Sequence, residues 1–320
     1  VRVDAAGVCR SQLMEARGLR GPDRWLPHLL GHEGVGVVVE VGDGVTKVAP
    51  GQAVVLSWIA GRGRAAGGTT LRTSEGTTVN AGPVTTFGEF AVVSEDRVFS
   101  RPPGIAQDVA AVLGCAVLTG AGMVINDARV VSGTSVLIAG IGGVGLSALL
   151  AARARGAEMV AIDPNPERRR LAVEMGARLA VDPTRPDWQD ELRGRFPGGA
   201  DVAIDASGTT AAIESLLPLV SARGCVVFAS HPASGERLSI DPHLLIQGRR
   251  LLGSWGGGSR PDDDLLEVSR LIGTSGETAA FGGSGYTLDR IDEALSDLEA
   301  GRTVRPVIIL SDAGRGAAST

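Results

Sequence analysis

Midway along the chain an apolar run, Ser-Val-Leu-Ile-Ala (135–139), runs into Gly140-Ile-Gly142-Gly143-Val144-Gly145 and then into a segment rich in Ala and Leu (144–155). A strand, then G-x-G-x-x-G, then a helix is the fingerprint of a dinucleotide-binding turn. The first glycine permits the tight turn, the second lets the backbone approach a pyrophosphate, and the third lets helix pack closely on strand. The helix N-terminus then offers free N–H groups and the positive end of a dipole to the phosphates. Asp163 lies 18 residues beyond Gly145, at the end of the next apolar run (158–162). An acid there is expected to accept the ribose hydroxyls and to repel a 2′-phosphate, which favours NAD over NADP. Of Arg168, Arg169 and Arg170, Arg168 is the candidate for the adenosine ribose, and the others are expected on a solvated helix face.

The surrounding pattern agrees. From about Val109 short apolar runs (135–139, 158–162, 201–205, 225–229) alternate with helical segments (109–123, 144–155, 166–175, 210–217), which predicts a doubly wound parallel sheet covered on both faces. Residues 1–100 read differently. Gly34–Val41, Ala53–Ile59 and Phe87–Ser94 are predicted strands bounded by glycine turns, and 60–83 reads as a surface loop. Two further helices (262–272, 288–300), a strand (304–310) and a disordered Gly/Ala/Ser tail are expected to close the chain.

The net charge of −5 gives no electrostatic reason to bind nucleic acid or a membrane surface. No unbroken run of 18 apolar residues is present, so no membrane-spanning helix is expected. The start carries no signal-peptide pattern, and three well-separated cysteines do not make a disulfide framework. A cytoplasmic protein is the expectation.

Two of those cysteines sit in distinctive settings: Gly-Val-Cys9-Arg10-Ser11 and Leu-Gly-Cys115-Ala-Val-Leu-Thr119-Gly, with Gly-His32-Glu33-Gly between them. Two thiolates and an imidazole make a tetrahedral zinc site with one position open. In that order before a Rossmann unit, these motifs resemble the zinc-dependent alcohol dehydrogenases of the medium-chain dehydrogenase/reductase superfamily. Val-Gly-Asp-Gly-Val (41–45), Ile-Asp-Glu-Ala-Leu (291–295) and Val-Arg-Pro-Val (304–307) extend the resemblance over essentially the whole chain. The segment Gly248–Gly258 looks closest to the glutathione- and mycothiol-dependent formaldehyde dehydrogenase branch.

The resemblance implies a GroES-like β-rich catalytic domain (1–116 and 259–320) and a Rossmann domain (117–258). It implies one catalytic zinc held by Cys9, His32 and Cys115, with Glu33 as a nearby carboxylate able to exchange with water at the open position. Ser11 would relay the substrate proton, Thr119 would stand beside the nicotinamide, and Arg10 and Arg305 would contact the cofactor phosphates. The implied reaction passes a hydride between an alcohol or aldehyde and NAD(H), in a homodimer or homotetramer.

The chain also departs from the family's pattern. The stretch 60–68, where many members carry four cysteines around a structural zinc, has none, so no structural zinc is expected and the loop should be unstapled, mobile or reshaped. Gln12 replaces the residue that usually helps orient the ligand histidine, and Met14 replaces a proton-relaying histidine in some members. Eight residues precede Cys9, fewer than the family's usual run of strand, so the first domain is expected to lack its opening strands. Trp58 is a candidate wall of the substrate pocket, whereas His231 and His243 are loop residues and Cys225 is core packing. Two alternatives stay open: a zinc-free NADPH-linked quinone or enoyl reductase of the same superfamily, and a non-catalytic NAD(H)-binding protein.

Overall fold

The computed structural model describes residues 1–272, 281 and 285–311. The chain begins with β1 (Arg2–Gly7), α1 (Arg10–Ala16), β2 (Glu33–Val37) and β3 (Ala53–Ser57). A hairpin of β4 (Thr69–Arg72) and β5 (Thr78–Gly82) precedes β6 (Val98–Ser100). Helical residues 107–127 follow: α2 (Gln107–Val112) and α3 (Leu118–Gly122), with π-helical turns at Leu113–Val117 and Met123–Asp127. Next come β7 (Ser135–Ala139), α4 (Gly143–Ala154), β8 (Glu158–Ile162), α5 (Pro166–Glu174), β9 (Leu179–Val181) and α6 (Trp188–Arg195). The remainder is β10 (Ala200–Asp205), α7 (Thr210–Leu216), β11 (Val220–Phe228), α8 (Pro242–Ile246), β12 (Arg250–Gly253), α9 (Pro261–Leu271), β13 (Gly285–Tyr286), α10 (Ile291–Glu299) and β14 (Val307–Ile309). Two compact units result, 1–116 with 260–320, and 117–259.

The 117–259 unit carries a six-stranded sheet in the order β12-β11-β10-β7-β8-β9, every neighbouring pair parallel. Counting from β7, this is the doubly wound 3-2-1-4-5-6 arrangement, whose strand order reverses between β7 and β10. The short apolar runs read from the sequence are its central strands. Val136, Leu137, Ile138, Val160, Ala203, Ile204, Val226 and Val227 are fully buried, as a sheet covered on both faces demands. The sequence reading missed β9, α6 and β12, whose exposed or half-buried residues dilute the apolar signal. His243 lies in the five-residue α8, not in a loop.

The other unit is built on a sheet of order β13-β14-β1-β2-β3-β6. Its strands alternate less cleanly but bury one apolar face, with Val3, Ala6, Val54, Leu56 and Val98 in one cluster. Two expectations are corrected here. Phe87–Ser94 is not a strand: it lies along β1 through Val3 N–H to Glu89 O (2.9 Å) and Ala91 N–H to Val1 O (2.9 Å), but pairs only at the Arg2–Phe90 bridge. Residues 60–83 are not all loop, because Thr69–Arg72 and Thr78–Gly82 form a largely exposed hairpin whose threonines and few apolar residues mask its strand character. β1 occupies six of the eight residues that precede Cys9.

The cysteine-free loop at 60–68 is held by hydrogen bonds. Glu95 gathers it: Oε1 accepts the backbone N–H groups of Thr46 (2.7 Å) and Lys47 (2.8 Å), and Oε2 accepts that of Arg64 (2.8 Å). Lys47, the only lysine of the chain, donates to Arg62 O (2.8 Å), pairs with Asp262 (2.8 Å) and lies 4.0 Å from the centroid of the Phe99 ring.

Helix 107–127 is long and apolar enough to cross a membrane by length and composition, but 89% of its most apolar window is buried inside the protein. It is the core helix of a folded chain, which an uninterrupted-run criterion overlooks because glycines and a threonine punctuate it. The strand expected at 304–310 is β14, while the tail beyond residue 311 lies outside the described residues.

Candidate metal and dinucleotide sites

Three separate elements deliver the metal-ligand candidates. β1 ends at Gly7, and Cys9 then forms the N-cap of α1 in extended conformation. His32 immediately precedes β2, and Cys115 sits in the π-helical turn Leu113–Val117. π-turns are rare and recur at functional sites because the wider turn re-aims side chains. Ser57 Oγ secures this one by donating to Gly114 O (2.5 Å), and it accepts from Ile59 N–H (3.0 Å).

The donor atoms of Cys9, His32 and Cys115 all lie within 4.8 Å of one another, and His32 Nε2 is 3.2 Å from Cys115 Sγ. Tetrahedral zinc with its usual bond lengths places such donors about 3.5–3.8 Å apart, so the set fits the ion. The thiols are already polarised. The Cys115 hydrogen bond, followed by the positive charge of Arg305, holds Cys9 well below the usual thiol range against the opposing effect of burial. The Cys9 hydrogen bond and burial push Cys115 well above it.

Glu33 is completely buried, but its carboxylate is turned to Arg305 and not to the three donors. Arg305 Nε donates to Oε1 at 2.8 Å, its Nη2 donates to the same oxygen, and Ala116 N–H reaches Oε2 at 3.4 Å. Burial raises the carboxyl pKa despite the guanidinium. Arg305 is itself 3% exposed and paired with Glu33. Gly7 is what makes room: a Cβ there would stand 2.3 Å from Glu33 Oε1 and 3.0 Å from Val112 Cγ1. Any larger side chain there would force the Glu33 carboxylate to shift.

Ser11 lies in the first turn of α1, its Oγ buried and without a hydrogen-bond partner among the described residues. Arg10 beside it is exposed and makes no ion pair or side-chain hydrogen bond among the described residues. The Trp58 ring stands edge-on to His32, centroids 6.5 Å apart at 72°, and its carbonyl accepts from Arg97 Nη1. Gln12, which the sequence reading associated with the histidine, instead accepts the backbone N–H of Cys9.

In the 117–259 unit the glycine turn joins β7 to α4. A Cβ on Gly145 would fall 1.8 Å from Gly140 O, so helix and turn can close only around glycine. Asp163 follows β8, 2% exposed, and spends both oxygens on backbone: Oδ2 accepts Ile141 N–H (2.7 Å) and Oδ1 accepts Asn165 N–H (2.8 Å). Asp163 therefore holds the glycine turn in shape as well as placing a negative charge beside it. Arg168 is half-buried at the start of α5, Arg169 pairs with Asp182 (3.1 Å) and bonds Asp163 O (2.8 Å), and Arg170 takes the solvated face with Glu167 and Glu174. Thr119 is 6% exposed, with its Oγ1 buried and unpartnered among the described residues.

The sequence reading missed Asp205, which lies at the carboxyl end of β10 in register with Ala139. Burial pushes its carboxyl up, and it accepts from Ser207 Oγ (2.6 Å) and Ser230 Oγ (3.2 Å). The segment 248–258 forms β12 and a glycine turn packed on the helix that carries Thr119, with Ser259 Oγ donating to Leu118 O (2.8 Å) and Asn126 Nδ2 to Gly257 O (3.2 Å).

Residues 1–103 match the family model described as alcohol dehydrogenase GroES-like domain, and residues 143–273 match that of the zinc-binding dehydrogenases. The chain is 32% identical to the S-(hydroxymethyl)glutathione dehydrogenase of Photobacterium damsela subsp. piscicida, over 96% of this chain and 91% of the relative. Among solved structures it resembles the alcohol dehydrogenase zinc-binding domain protein from Burkholderia ambifaria (TM-score 0.86, 30% identity, 97% and 91% of the two chains). It also resembles benzyl alcohol dehydrogenase from Acinetobacter calcoaceticus (TM-score 0.85, 27% identity, 97% and 91%).

Proposed function

The chain belongs to the zinc-dependent alcohol dehydrogenases of the medium-chain dehydrogenase/reductase superfamily, and from that membership we propose how its own residues divide the work of an NAD-linked alcohol–aldehyde oxidoreductase. Cys9, His32 and Cys115 hold one zinc per chain, and that zinc is catalytic. The observation that carries this reading is the convergence of two thiols and an imidazole within 4.8 Å from three separate elements. When bound, the ion supplies Lewis acidity that lowers the pKa of a substrate hydroxyl, and the nicotinamide supplies the hydride acceptor.

The protein's residues do the rest. Ser11 Oγ, buried and unpartnered among the described residues, accepts the substrate's hydroxyl proton and passes it outward. Thr119 Oγ1, in the same condition, orients the nicotinamide. Arg10, with no intramolecular partner among the described residues, is available to a cofactor phosphate. Arg305 keeps Glu33 in place and adds positive charge beside the thiolates. Glycines 140, 142 and 145 with Asp163 favour NAD over NADP.

A primary alcohol is the substrate class we favour, with a thiol–formaldehyde adduct as its most specific form, in keeping with the names of the relatives. The exposed edge of β12, with Leu252 and Trp255 beside it, supports pairing of two copies. A reducing compartment suits thiol ligands. Absorbance at the NADH band with benzyl alcohol, or with formaldehyde plus glutathione, tests the function. Turnover that disappears on chelation and returns with zinc is expected, and undiminished turnover without zinc would overturn the zinc assignment.

A further inference from the structure

Gln12 is 1% exposed, an unusual burial for a carboxamide. Its Oε1 accepts the backbone N–H of Cys9 at 2.7 Å, while its own backbone N–H returns to Cys9 O at 3.0 Å. Cys9 is the N-cap of α1 and Gln12 its third helical residue, so the two form a reciprocal capping arrangement. The other half of the carboxamide, Nε2, is buried without a hydrogen-bond partner among the described residues. An orphan N–H2 group in a protein interior is destabilising. Its oxygen completes the helix cap, and the N–H it accepts belongs to a candidate metal ligand.

We propose that Gln12 is a positioning residue for Cys9: its carboxamide oxygen fixes the backbone of the Cys9 turn and thereby the direction from which the thiolate meets the metal. The inference rests on Cys9 being a zinc ligand. It differs from the expectation read from the sequence, in which this position serves the ligand histidine, because the structure gives the Gln12 oxygen to the backbone of the cysteine. Residues that orient a ligand from behind typically change metal affinity by roughly 10- to 100-fold when removed.

The test uses the full chain and follows the metal itself. Zinc transfer to a chromophoric chelator is timed, and the visible bands of the cobalt(II)-loaded protein are recorded, for the parent and for Gln12→Met, Gln12→Glu and Cys9→Ser. Methionine keeps the volume and removes the orphan donor but leaves the Cys9 N–H without its acceptor, so thermal stability should change little while metal release accelerates roughly 10- to 100-fold and the cobalt bands shift. Glutamate keeps the acceptor and should retain the metal at least as well as the parent, and this remains decisive if the methionine variant fails to fold. Release at the parental rate from Gln12→Met, or release from Gln12→Glu well above the parental rate, overturns the proposal. If the parent binds no metal, or Cys9→Ser binds it equally well, the zinc assignment itself fails, which is a separate result.

Discussion

In the unit formed by 1–116 and 260–320, two groups of donors each converge on one point, and they are ordered by opposite means. At the first, two thiols and an imidazole surround a position that a cation completes. At the second, the backbone N–H groups of Thr46, Lys47 and Arg64 surround a carboxylate that belongs to the chain. The Glu95 carboxyl is accordingly pulled down to about 2, first by the Arg64 N–H and then by those of Thr46 and Lys47. The first set of donors suits a metal ion, and the second is satisfied by a side chain of the protein itself. In the cysteine-free 60–68 segment, Arg64 N–H bonds Glu95, Ala66 N–H bonds Ser94 Oγ and Gly61 N–H bonds Asp96 O, so the 94–96 turn holds the loop. Removing metal should therefore stop the reaction and leave that loop alone, whereas removing Glu95 should do the reverse.

The largest expected effect is that of Cys9→Ser. We expect loss of bound metal and a fall in kcat/KM of about three orders of magnitude or more, on the order of 4 kcal/mol of transition-state stabilisation. NADH formation beside metal analysis checks it, and proteolysis at Arg62 and Arg64 should be unchanged. Next comes Gly7→Ala, whose methyl would collide with the Glu33 carboxylate. Forcing a group into that buried ion pair should cost about 1–3 kcal/mol, read from denaturant unfolding, and should also weaken metal retention.

Glu95→Gln sharpens the other side of the comparison. The folded-state pKa of about 2 lies below the ordinary 4.5, so the carboxylate stabilises the fold above about pH 4.5 and that contribution fades as pH falls toward 2. The variant should lose this part of the acid dependence in melting curves and should be cut faster at Arg62 and Arg64, with metal content unchanged. The smallest effect is that of Lys47→Met, which deletes the Asp262 pair and the Phe99 contact at roughly 1 kcal/mol. Thermal unfolding should show it, without a change in kcat.

Much of this was legible in the sequence, and the boundary of legibility has physical causes. The glycine turn and the central parallel strands announce themselves through local residue type and spacing, while the three metal donors, far apart in the chain, were picked out by the resemblance of their flanking motifs. What lies across the chain does not. Nothing in the sequence shows that Glu33 faces Arg305, 272 residues away, or that the glycine before Val8 exists to admit that carboxylate. Gln12 illustrates the same limit: its position is plain, but which neighbour its oxygen chooses depends on how β1 delivers Cys9 to α1. The segment 60–83 was misread because its hairpin is rich in threonine and shows only scattered apolar residues (Leu71, Val79, Ala81), and because the acceptor of the Arg64 N–H sits at residue 95, outside any local pattern.

The most direct test of the account is the metal count on the purified chain, taken beside that of Cys9→Ser. One zinc per parent chain and none in the variant is the predicted result. Two zinc ions per chain, or a variant that keeps its zinc, would contradict it.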